Sequence, residues 1–437
     1  MLAWTRRRAV EAATRQKKIN HNLEMDEIAI PQHFRCPITL DLMKDPVILL
    51  TGITYDRESI DKWVEDGNFT CPVTNQVLSS FDQIPNHFIR KMIQDWCVQN
   101  RSYGVQRIPT PRIPVTAFQV SDVVHRIRVA TEIGDYKRCK ELVKKMNNWS
   151  KESERNKKCI VENGGGLVLS IAFESFIKSS MESCSCTDLL EEILSALIWV
   201  FPIGAEGESR LGSETCLRSM LWILQNGNLS AIQNAVHVVK QLVSLDQSYV
   251  NKLANIEGVV EALIELIKKP ICPSATKASL MVIFYMISPS QVSDKMATTF
   301  VEMGLISVVI EILVDGDKSI SDKALGVLDH ICDSKQGREK AYENALIMPV
   351  LFHKISGSDL ASQYSVSILW KLCKNNDTII MAEALQLKVD AFQKLLILLQ
   401  LSCPDTTKDK AKHLLKLLNF YRANSLCFDS SMDFRYL

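Results

Sequence analysis

Apolar residues recur along residues 119–423 in long helical runs that start at a regular interval. The first runs begin near four glycines that lie about 46 residues apart, Gly166, Gly212, Gly258 and Gly304, a period typical of helical repeats. Two further starts, at Ala345 and Leu387, follow at steps of about 41 and 42 residues. A glycine at such a place permits a sharp turn and a close approach between helices that a side chain would block. We therefore expect a repeated helical unit.

A second apolar helix follows most of these runs, at residues 275–287, 321–332, 361–373 and 408–420. Each has a broad apolar face, which one unit alone cannot bury but stacked neighbours can. The pattern resembles armadillo repeats, with HEAT repeats as the structurally close alternative. It predicts a mostly α fold that contains an α-solenoid of roughly five to seven units, less regular near the ends.

Residues 30–104 show a different pattern, with short apolar runs between turn signals. The run at 47–50 lies between an Asp-Pro pair and a Thr-Gly pair, which predicts a short β-hairpin. Asp56 and Asn86 each precede a helical pattern and are expected to cap it with their side chains. The first helix carries Ile60, Trp63 and Val64, and the second carries Phe88, Ile89, Met92, Ile93, Trp96 and Cys97. The block is predicted to be a compact α+β module.

Two cysteines of this module stand where zinc-binding pairs would begin, but their partners are missing. Cys36 and Cys71 are each followed three residues later by a threonine, Thr39 and Thr74. Tetrahedral zinc needs four thiolate or imidazole ligands, so neither a metal nor another cofactor is expected. The block resembles a U-box, the zinc-free relative of the RING domain. The resemblance rests on five short motifs that occur in this order: Cys-Pro-Ile, Asp-Pro-Val, Thr-Gly, Tyr-Asp-Arg and Ile-Pro-Asn.

The resemblance to a U-box implies a shallow groove that grips a ubiquitin-conjugating enzyme. The residues that it assigns to this docking surface are apolar or small: Ile38, Leu40, Trp63, Pro72, Val73 and Thr74. The alternative is that these side chains only fill the core of the module. A covalent ubiquitin relay needs an activated cysteine beside a base, whereas Cys36 and Cys71 match buried anchors at which polar contacts replace zinc. The resemblance thus implies a ligase that holds the charged conjugating enzyme in a reactive orientation and has no catalytic nucleophile.

Asn75 departs from the family pattern. Many RING and U-box ligases place a long cationic side chain just after the second loop, where it contacts both the conjugating enzyme and ubiquitin. Asn75 is short and neutral, although its amide still offers hydrogen-bond donors and an acceptor. It is interpreted either as the position that promotes ubiquitin discharge or as a residue that only stabilises the turn with Gln76.

The order of these parts resembles the plant U-box/armadillo ubiquitin ligases, several of which act in defence and stress signalling. It predicts five segments: a basic tail at 1–29, a U-box at 30–104, a proline-rich linker at 105–118, armadillo repeats at 119–423 and a tail at 424–437. Three prolines in the linker disfavour regular helix and mark the domain boundary. By the same resemblance, the concave armadillo surface selects a protein substrate. Some U-boxes form homodimers, and the sequence leaves open whether this chain forms one.

Composition and charge narrow the partners and the compartment. The 437 residues include 51 basic and 50 acidic side chains, so no net charge points to nucleic acid or an anionic membrane. The 13 cysteines are typical of buried thiols in a reducing compartment. The longest apolar stretch, at 193–205, is too short to span a bilayer. A cytoplasmic location is expected, with the nucleus or a membrane surface as alternatives because of the basic residues at 6–18.

Three functions from different classes remain open at this point. The first is an active ubiquitin ligase, which predicts that Ile38, Trp63 and Pro72 are exposed together. The second is a catalytically weak armadillo adaptor, for which the neutral residue after the second loop is the sequence hint. The third is a nuclear import receptor, but no asparagine follows Trp199 one helical turn later, as the groove of that class requires. The ligase accounts for most of these features.

Overall fold

The chain divides into two compact units, Met1–Ile113 and Pro114–Leu437. The computed structural model describes residues 30–108, 114–180, 187–288, 293–373, 391–400 and 403–429. Three predicted features lie outside the described residues: the basic tail at 1–29, the prolines at 109 and 111, and the repeat start at Leu387. The last eight residues of the predicted C-terminal tail, 430–437, lie outside them as well.

The first unit is a small α+β module with a three-stranded antiparallel sheet in the order β2-β1-β3. Its strands are β1 (Pro46–Ile48), β2 (Thr54–Asp56) and β3 (Ile84–Pro85). Its α-helices are α1 (Arg57–Glu65) and α2 (His87–Gln99), and single 3-10 turns span Gln32–Phe34 and Arg101–Tyr103. The module is the α+β unit predicted from the sequence.

The predicted hairpin and one predicted helix cap are confirmed. Strands β1 and β2 pair with Val47 opposite Tyr55, and Gly52 supplies the left-handed turn between them with a φ of 78°. Glycine adopts this conformation without the steric cost that a Cβ brings. At the start of α2, the side chain of Asn86 accepts a hydrogen bond of 3.1 Å from the backbone N–H of Ile89. The glycine turn therefore fixes the link between β1 and β2, and the asparagine cap fixes the start of α2.

One local prediction in this module is wrong, and one residue of the predicted apolar spacing is exposed. Asp56 stands at the N-cap of α1, but its side chain makes no capping bond. Its Oδ1 instead accepts hydrogen bonds from the backbone amides of Lys44 and Asp45, at 2.7 and 2.8 Å, because two tertiary donors compete successfully with the helix start. Phe88 follows the apolar spacing of α2 but is 73% exposed. It lies in the first turn, whereas the core receives Ile93 and Cys97 further along the helix.

The core of the module is built from all of its elements. Its buried members are Phe34, Cys36, Met43, Val47, Leu49, Tyr55, Ile60, Cys71, Leu78, Ile93, Cys97 and Ile108. Val105 packs against this cluster, so the beginning of the segment predicted as a linker lies on the module. Both cysteines that would have started zinc pairs are thus core residues.

The second unit is entirely helical in the part of it that the structure describes. Its helices are α3 (Ala117–Glu132), α4 (Tyr136–Glu152), α5 (Glu154–Glu162), α6 (Gly165–Ser180), α7 (Thr187–Val200), α8 (Ala205–Leu211), α9 (Glu214–Asn226), α10 (Leu229–Leu245), α11 (Gln247–Ala254), α12 (Val259–Lys268), α13 (Pro273–Ile287), α14 (Ser293–Glu302), α15 (Leu305–Asp315), α16 (Lys318–Ile331), α17 (Lys335–Tyr342), α18 (Ile347–Lys354), α19 (Asp359–Cys373), α20 (Ala391–Gln400) and α21 (Asp405–Asp429). The last helix continues past residue 423, the predicted end of the repeats.

These helices stack as a solenoid of triplets, which confirms the predicted fold. Helices α4, α7, α10, α13, α16, α19 and α21 pack one after another in a single row, here called the third-helix row. Each complete triplet adds a short first helix and a longer second helix, as α11, α12 and α13 show. Helix pairs α3–α4 and α20–α21 stand at the two ends. The shared core runs through the unit, because each apolar face is buried by its neighbours.

The glycines of the period serve two different purposes. Gly258 and Gly304 precede α12 and α15 in the left-handed conformation, with φ of 85° and 81°. Gly212 has an ordinary backbone, but a Cβ there would overlap the ring of Tyr249. Before α6 the left-handed turn falls on Gly164, whereas Gly166 lies inside the helix. The sequence period therefore marks equivalent regions of the repeats, not one identical backbone position.

No single described helix is long and apolar enough to cross a membrane. Two bent pairs, α5 with α6 and α14 with α15, reach the required length and composition only when their two helices are added together. Both pairs contribute side chains to the core of the solenoid.

Candidate functional site

The two loops that the U-box resemblance singles out have the same backbone structure. Loop 1 is defined as residues 36–41 and loop 2 as residues 71–76. In each loop, the amide of the fifth residue donates to the carbonyl of the first, at 2.8 Å in loop 1 and 2.9 Å in loop 2. The fifth residues, Leu40 and Asn75, both have positive φ, 63° and 55°. The module thus presents one turn twice, with different side chains on it.

Hydrogen bonds hold the cysteine at the base of each loop. The backbone N–H of Asp56 donates to Cys36 Sγ at 3.3 Å. Cys71 Sγ lies 3.0 Å from the hydroxyl oxygen of Tyr55 and 3.3 Å from that of Thr51. Both sulfurs belong to residues that are 0% exposed. This confirms the prediction of buried cysteine anchors held by polar contacts.

The hydroxyl groups around Cys71 perturb its acidity. Burial alone raises the pKa of the Cys71 thiol, but hydrogen bonds from Thr51, Thr74 and Tyr55 outweigh it and lower the pKa to about 6. Burial and the contact with this sulfur raise the pKa of Tyr55. The phenol therefore keeps its proton near neutral pH while the sulfur accepts hydrogen bonds. A low thiol pKa here reflects structural anchoring, because a fully buried sulfur cannot reach a substrate.

Strand β2 connects the two loops, since its neighbouring residues Tyr55 and Asp56 contact Cys71 and Cys36. Burial raises the pKa of the Asp56 carboxyl, although the amides of Lys44 and Asp45 partly offset this effect. These bonds fix the segment that leads from loop 1 into β1. The sequence motif Tyr-Asp contains both residues, but no local pattern indicates that their partners lie in loops far along the chain.

Trp63 of α1 is half-buried and has a structural bond of its own. Its indole Nε1 donates to the carbonyl of Thr70 at 2.9 Å, directly before loop 2. The side chain of Asn68 donates to the Trp63 carbonyl at 3.1 Å. Trp63 therefore supports the entry to loop 2 as well as contributing to the surface.

The predicted docking residues differ in how far they reach into solvent. Leu40 is 65% exposed and Val73 is 51% exposed. Thr74 and Asn75 are also exposed, whereas Ile38, Trp63 and Pro72 are half-buried, so the prediction that these three are exposed together is wrong. Ile38 and Trp63 pack against the core of the module. The two exposed apolar side chains thus stand out from half-buried ones, and both belong to the loops that β2 connects.

The third-helix row carries partly buried polar and aromatic side chains that link one repeat to the next. Trp199 Nε1 of α7 donates to Asn147 Oδ1 of α4 at 3.1 Å, and the Asn147 amide donates to Glu192 Oε1 at 2.6 Å. The Trp199 indole is therefore already bonded to an asparagine of the preceding repeat. This differs from the pattern of the import receptors, in which the asparagine follows the tryptophan on the same helix.

A lysine links two further helices of the third-helix row. Lys371 Nζ of α19 lies 3.0 Å from Asp329 Oδ1 of α16 and 2.8 Å from Asp333 Oδ1 just beyond that helix. Burial alone raises the pKa of Asp333, but hydrogen bonds from His330 and Lys371 lower it to about 2. The contacts between repeats are thus ionic as well as apolar on this surface. Among the described residues, no group of three or more His, Cys, Asp or Glu side chains could hold a metal ion.

Comparisons with known proteins agree with both units. The U-box domain family matches residues 30–102, and the plant U-box protein ARM repeat region matches residues 119–437. U-box domain-containing protein 21 of Arabidopsis thaliana is 45% identical over 413 residues, which cover 94% of this chain and 93% of that protein. E3 ubiquitin-protein ligase PUB23 of Arabidopsis thaliana is 31% identical, with 94% and 98% covered. A designed armadillo repeat protein of known structure matches with 16% identity and a TM-score of 0.46, over 56% of this chain and 98% of that chain. The chain therefore belongs to the family of plant U-box proteins with an armadillo repeat region.

Proposed function

We propose that this chain is a ubiquitin ligase that docks a ubiquitin-charged conjugating enzyme on loops 1 and 2. It then promotes transfer of ubiquitin to lysines of a protein substrate. The observation that carries the proposal is the pairing of the loops, which repeat one turn, contact neighbouring residues of β2 and expose one apolar side chain each, Leu40 and Val73. Relatives named E3 ubiquitin-protein ligases support it.

The exposure of the loop residues supports docking over simple core filling. Core filling requires burial, whereas Leu40 and Val73 are 65% and 51% exposed. Half-buried Ile38, Trp63 and Pro72 form the base of the docking surface in this proposal, and Thr74 lies at its edge. Exposed apolar side chains beside half-buried ones are typical of a site where a partner covers both.

Transfer in this proposal occurs without a covalent intermediate on the ligase. The lysine amine attacks the thioester carbonyl of the charged conjugating enzyme, the C–S bond breaks, and an isopeptide bond forms while the proton lost from the amine nitrogen passes to the departing thiolate. Cys36 and Cys71 are 0% exposed, so neither can exchange with that thioester. The contribution of the ligase is to restrict the orientation of the thioester, which lowers the entropic part of the barrier.

A discharge assay tests the docking surface. Purified full chain is mixed with ubiquitin-charged conjugating enzymes and free lysine, and loss of the thioester is followed over time. Val73→Ala should slow discharge about fivefold, since a truncated contact in an interface costs on the order of 1 kcal/mol. Val98→Ala is the matched control, because Val98 is 58% exposed on α2, outside both loops, and it should leave the rate unchanged. If the native chain accelerates discharge from no conjugating enzyme of the panel, the ligase proposal fails.

A second candidate, a catalytically weak armadillo adaptor, is favoured by Asn75 alone. Its φ of 55° is one that asparagine tolerates better than arginine or lysine, so the residue suits the turn. The side chain provides no positive charge for ubiquitin discharge. The adaptor predicts that the chain binds a charged conjugating enzyme but does not accelerate discharge, which the same assay measures.

We further propose that the third-helix row holds the protein substrate. The support is that helices of this row carry half-buried polar and aromatic side chains, including Asn234 and Gln241 of α10 and Tyr285 of α13. Asn234→Ala with Gln241→Ala should reduce ubiquitination of substrate proteins in cells but leave lysine discharge unchanged. Trp222→Ala, on α9 outside the row, is the control. A homodimer, a cytoplasmic location and a role in defence or stress signalling remain predictions.

A further inference from the structure

The hydroxyl group of Tyr55 contacts loop 2 at two separate points. It lies 3.0 Å from Cys71 Sγ at the base of the loop. It also accepts a hydrogen bond of 3.3 Å from the backbone N–H of Val73 near the apex. Tyr55 itself is 0% exposed, and its ring is packed in the core of the module. One buried phenol thus fixes both the start and the middle of this loop.

The bond to Val73 concerns a residue whose side chain is exposed. Bonds within loop 2 orient the amides of Cys71 and Asn75, whereas the amide of Val73 is bonded to a residue of β2. The direction in which the Val73 side chain points depends on its backbone. The phenol of Tyr55 therefore controls the part of loop 2 that carries the exposed apolar contact.

We propose that Tyr55 is a positioning residue for docking of the conjugating enzyme. Its hydroxyl group holds the apex of loop 2 in the conformation that the partner binds, and the ring fills the core independently of that role. This inference rests on the proposed function of the two loops. It assigns a function in recognition to a side chain that packing alone would otherwise explain.

The hydroxyl group can make both bonds at once. The N–H of Val73 can only donate, so the phenol oxygen accepts from it. The phenol hydrogen is then available to the sulfur of Cys71. The pKa of Tyr55 is raised by burial and by the contact with Cys71, so the hydroxyl keeps its hydrogen throughout the neutral range.

Loop 1 is held differently, which makes the two loops separable by mutation. Its cysteine accepts from the backbone N–H of Asp56, a bond that no side-chain substitution removes directly. The change Tyr55→Phe keeps the ring but removes both contacts with loop 2. It should therefore disturb loop 2 selectively.

The test compares three variants of the full chain in two measurements. Tyr55→Phe removes both contacts with loop 2. Thr51→Val removes only a contact with Cys71 Sγ. Tyr103→Phe makes the same chemical change as Tyr55→Phe at a tyrosine that is 68% exposed. The first measurement is lysine discharge at increasing concentrations of charged conjugating enzyme, and the second is hydrogen exchange of peptides covering residues 72–76.

For Tyr55→Phe we expect KM for the charged enzyme to rise about tenfold, with kcat within about twofold of the native value, because the lost hydrogen bonds act mainly on docking. Exchange in residues 72–76 should accelerate while exchange in β1 and β2 stays the same. Tyr103→Phe should match the native chain in both measurements. A variant that is merely less stable contains fewer active molecules, which lowers kcat at unchanged KM and accelerates exchange throughout the module.

Three results would overturn the inference. An unchanged KM with unchanged exchange in residues 72–76 removes any positioning role. A fall in kcat alone, with faster exchange in the whole module, assigns Tyr55 to stability only. A rise in KM for Thr51→Val as large as that for Tyr55→Phe attributes the effect to the sulfur anchor and not to the Val73 bond. If the native chain promotes no discharge at all, the proposed function fails, and hydrogen exchange alone decides whether Tyr55 holds loop 2.

Discussion

Leu40 holds an exposed leucine in a backbone conformation that leucine disfavours. Its φ is 63°, and a left-handed conformation costs an L-residue with a Cβ roughly 1–2 kcal/mol. Its side chain is 65% exposed, so little packing within the module repays that cost. Asn75 at the same place in loop 2 shows which residue suits the turn. We therefore predict that Leu40→Asn raises the free energy of unfolding of the module by about 1 kcal/mol.

Hydrogen exchange of the full chain measures this change within the module. A gain of about 1 kcal/mol slows exchange through opening of the module about fivefold, which peptides covering β1 and β2 should report. The same variant should discharge ubiquitin more slowly, because the apolar contact is lost. Leu40→Ala is the control, since it removes the contact but lacks the short polar side chain with which asparagine hydrogen-bonds locally in the left-handed conformation. It should slow discharge without slowing exchange.

Two results would refute this reasoning. If Leu40→Asn exchanges as fast as the native chain or faster, the left-handed leucine stores no strain. If both variants discharge ubiquitin at the native rate, the side chain is not a docking contact. Slower exchange together with slower discharge would instead show that the loop gives up stability in order to present an apolar side chain.

Three further predictions concern other parts of the molecule. Asn75→Arg should increase the rate of lysine discharge at least threefold by adding a positive charge, at a stability cost of up to about 1 kcal/mol from the positive φ. An unchanged rate would show that the residue at this position does not promote ubiquitin discharge. Cys71 should resist alkylation by iodoacetamide in the native chain near neutral pH despite its lowered pKa, because it is 0% exposed. Mass spectrometry measures the alkylation, and equal reaction of native and unfolded chains would contradict the prediction. Gly212→Ala should destabilise the solenoid by about 1–3 kcal/mol, since the new Cβ meets the ring of Tyr249. Loss of helix in urea measures the stability, and adding Tyr249→Leu to the Gly212→Ala chain should restore part of it.

Local sequence signals predict those parts of the structure whose partners are near in the chain. The turn at Gly52, the cap at Asn86 and the stacked helices of the repeats all follow from patterns within a few residues or from a regular period. Asp56 shows the limit of such signals. An aspartate before a helix has a favourable local partner, but two backbone amides from before β1 bind its carboxylate in the folded module.

The docking loops illustrate the same limit in the candidate site. The cysteine and proline motifs locate both loops in the sequence, and the family resemblance assigns their residues. The contacts of Tyr55 with Cys71 and Val73 bridge 16 and 18 residues of chain, and no periodicity or composition encodes them. Exposure likewise depends on the final packing, as Phe88 shows on the apolar side of its helix.

Strand β2 is only three residues long, yet its pairing with β1 decides the orientation of both loops. Successive residues of a strand point to opposite faces, so a shift of one residue in pairing would exchange the faces of Tyr55 and Asp56. Both loops would then lose their anchors in one step. The recognition surface therefore exists only in one register of the hairpin, and a misaligned hairpin would take the Tyr55 ring out of the core as well as away from loop 2.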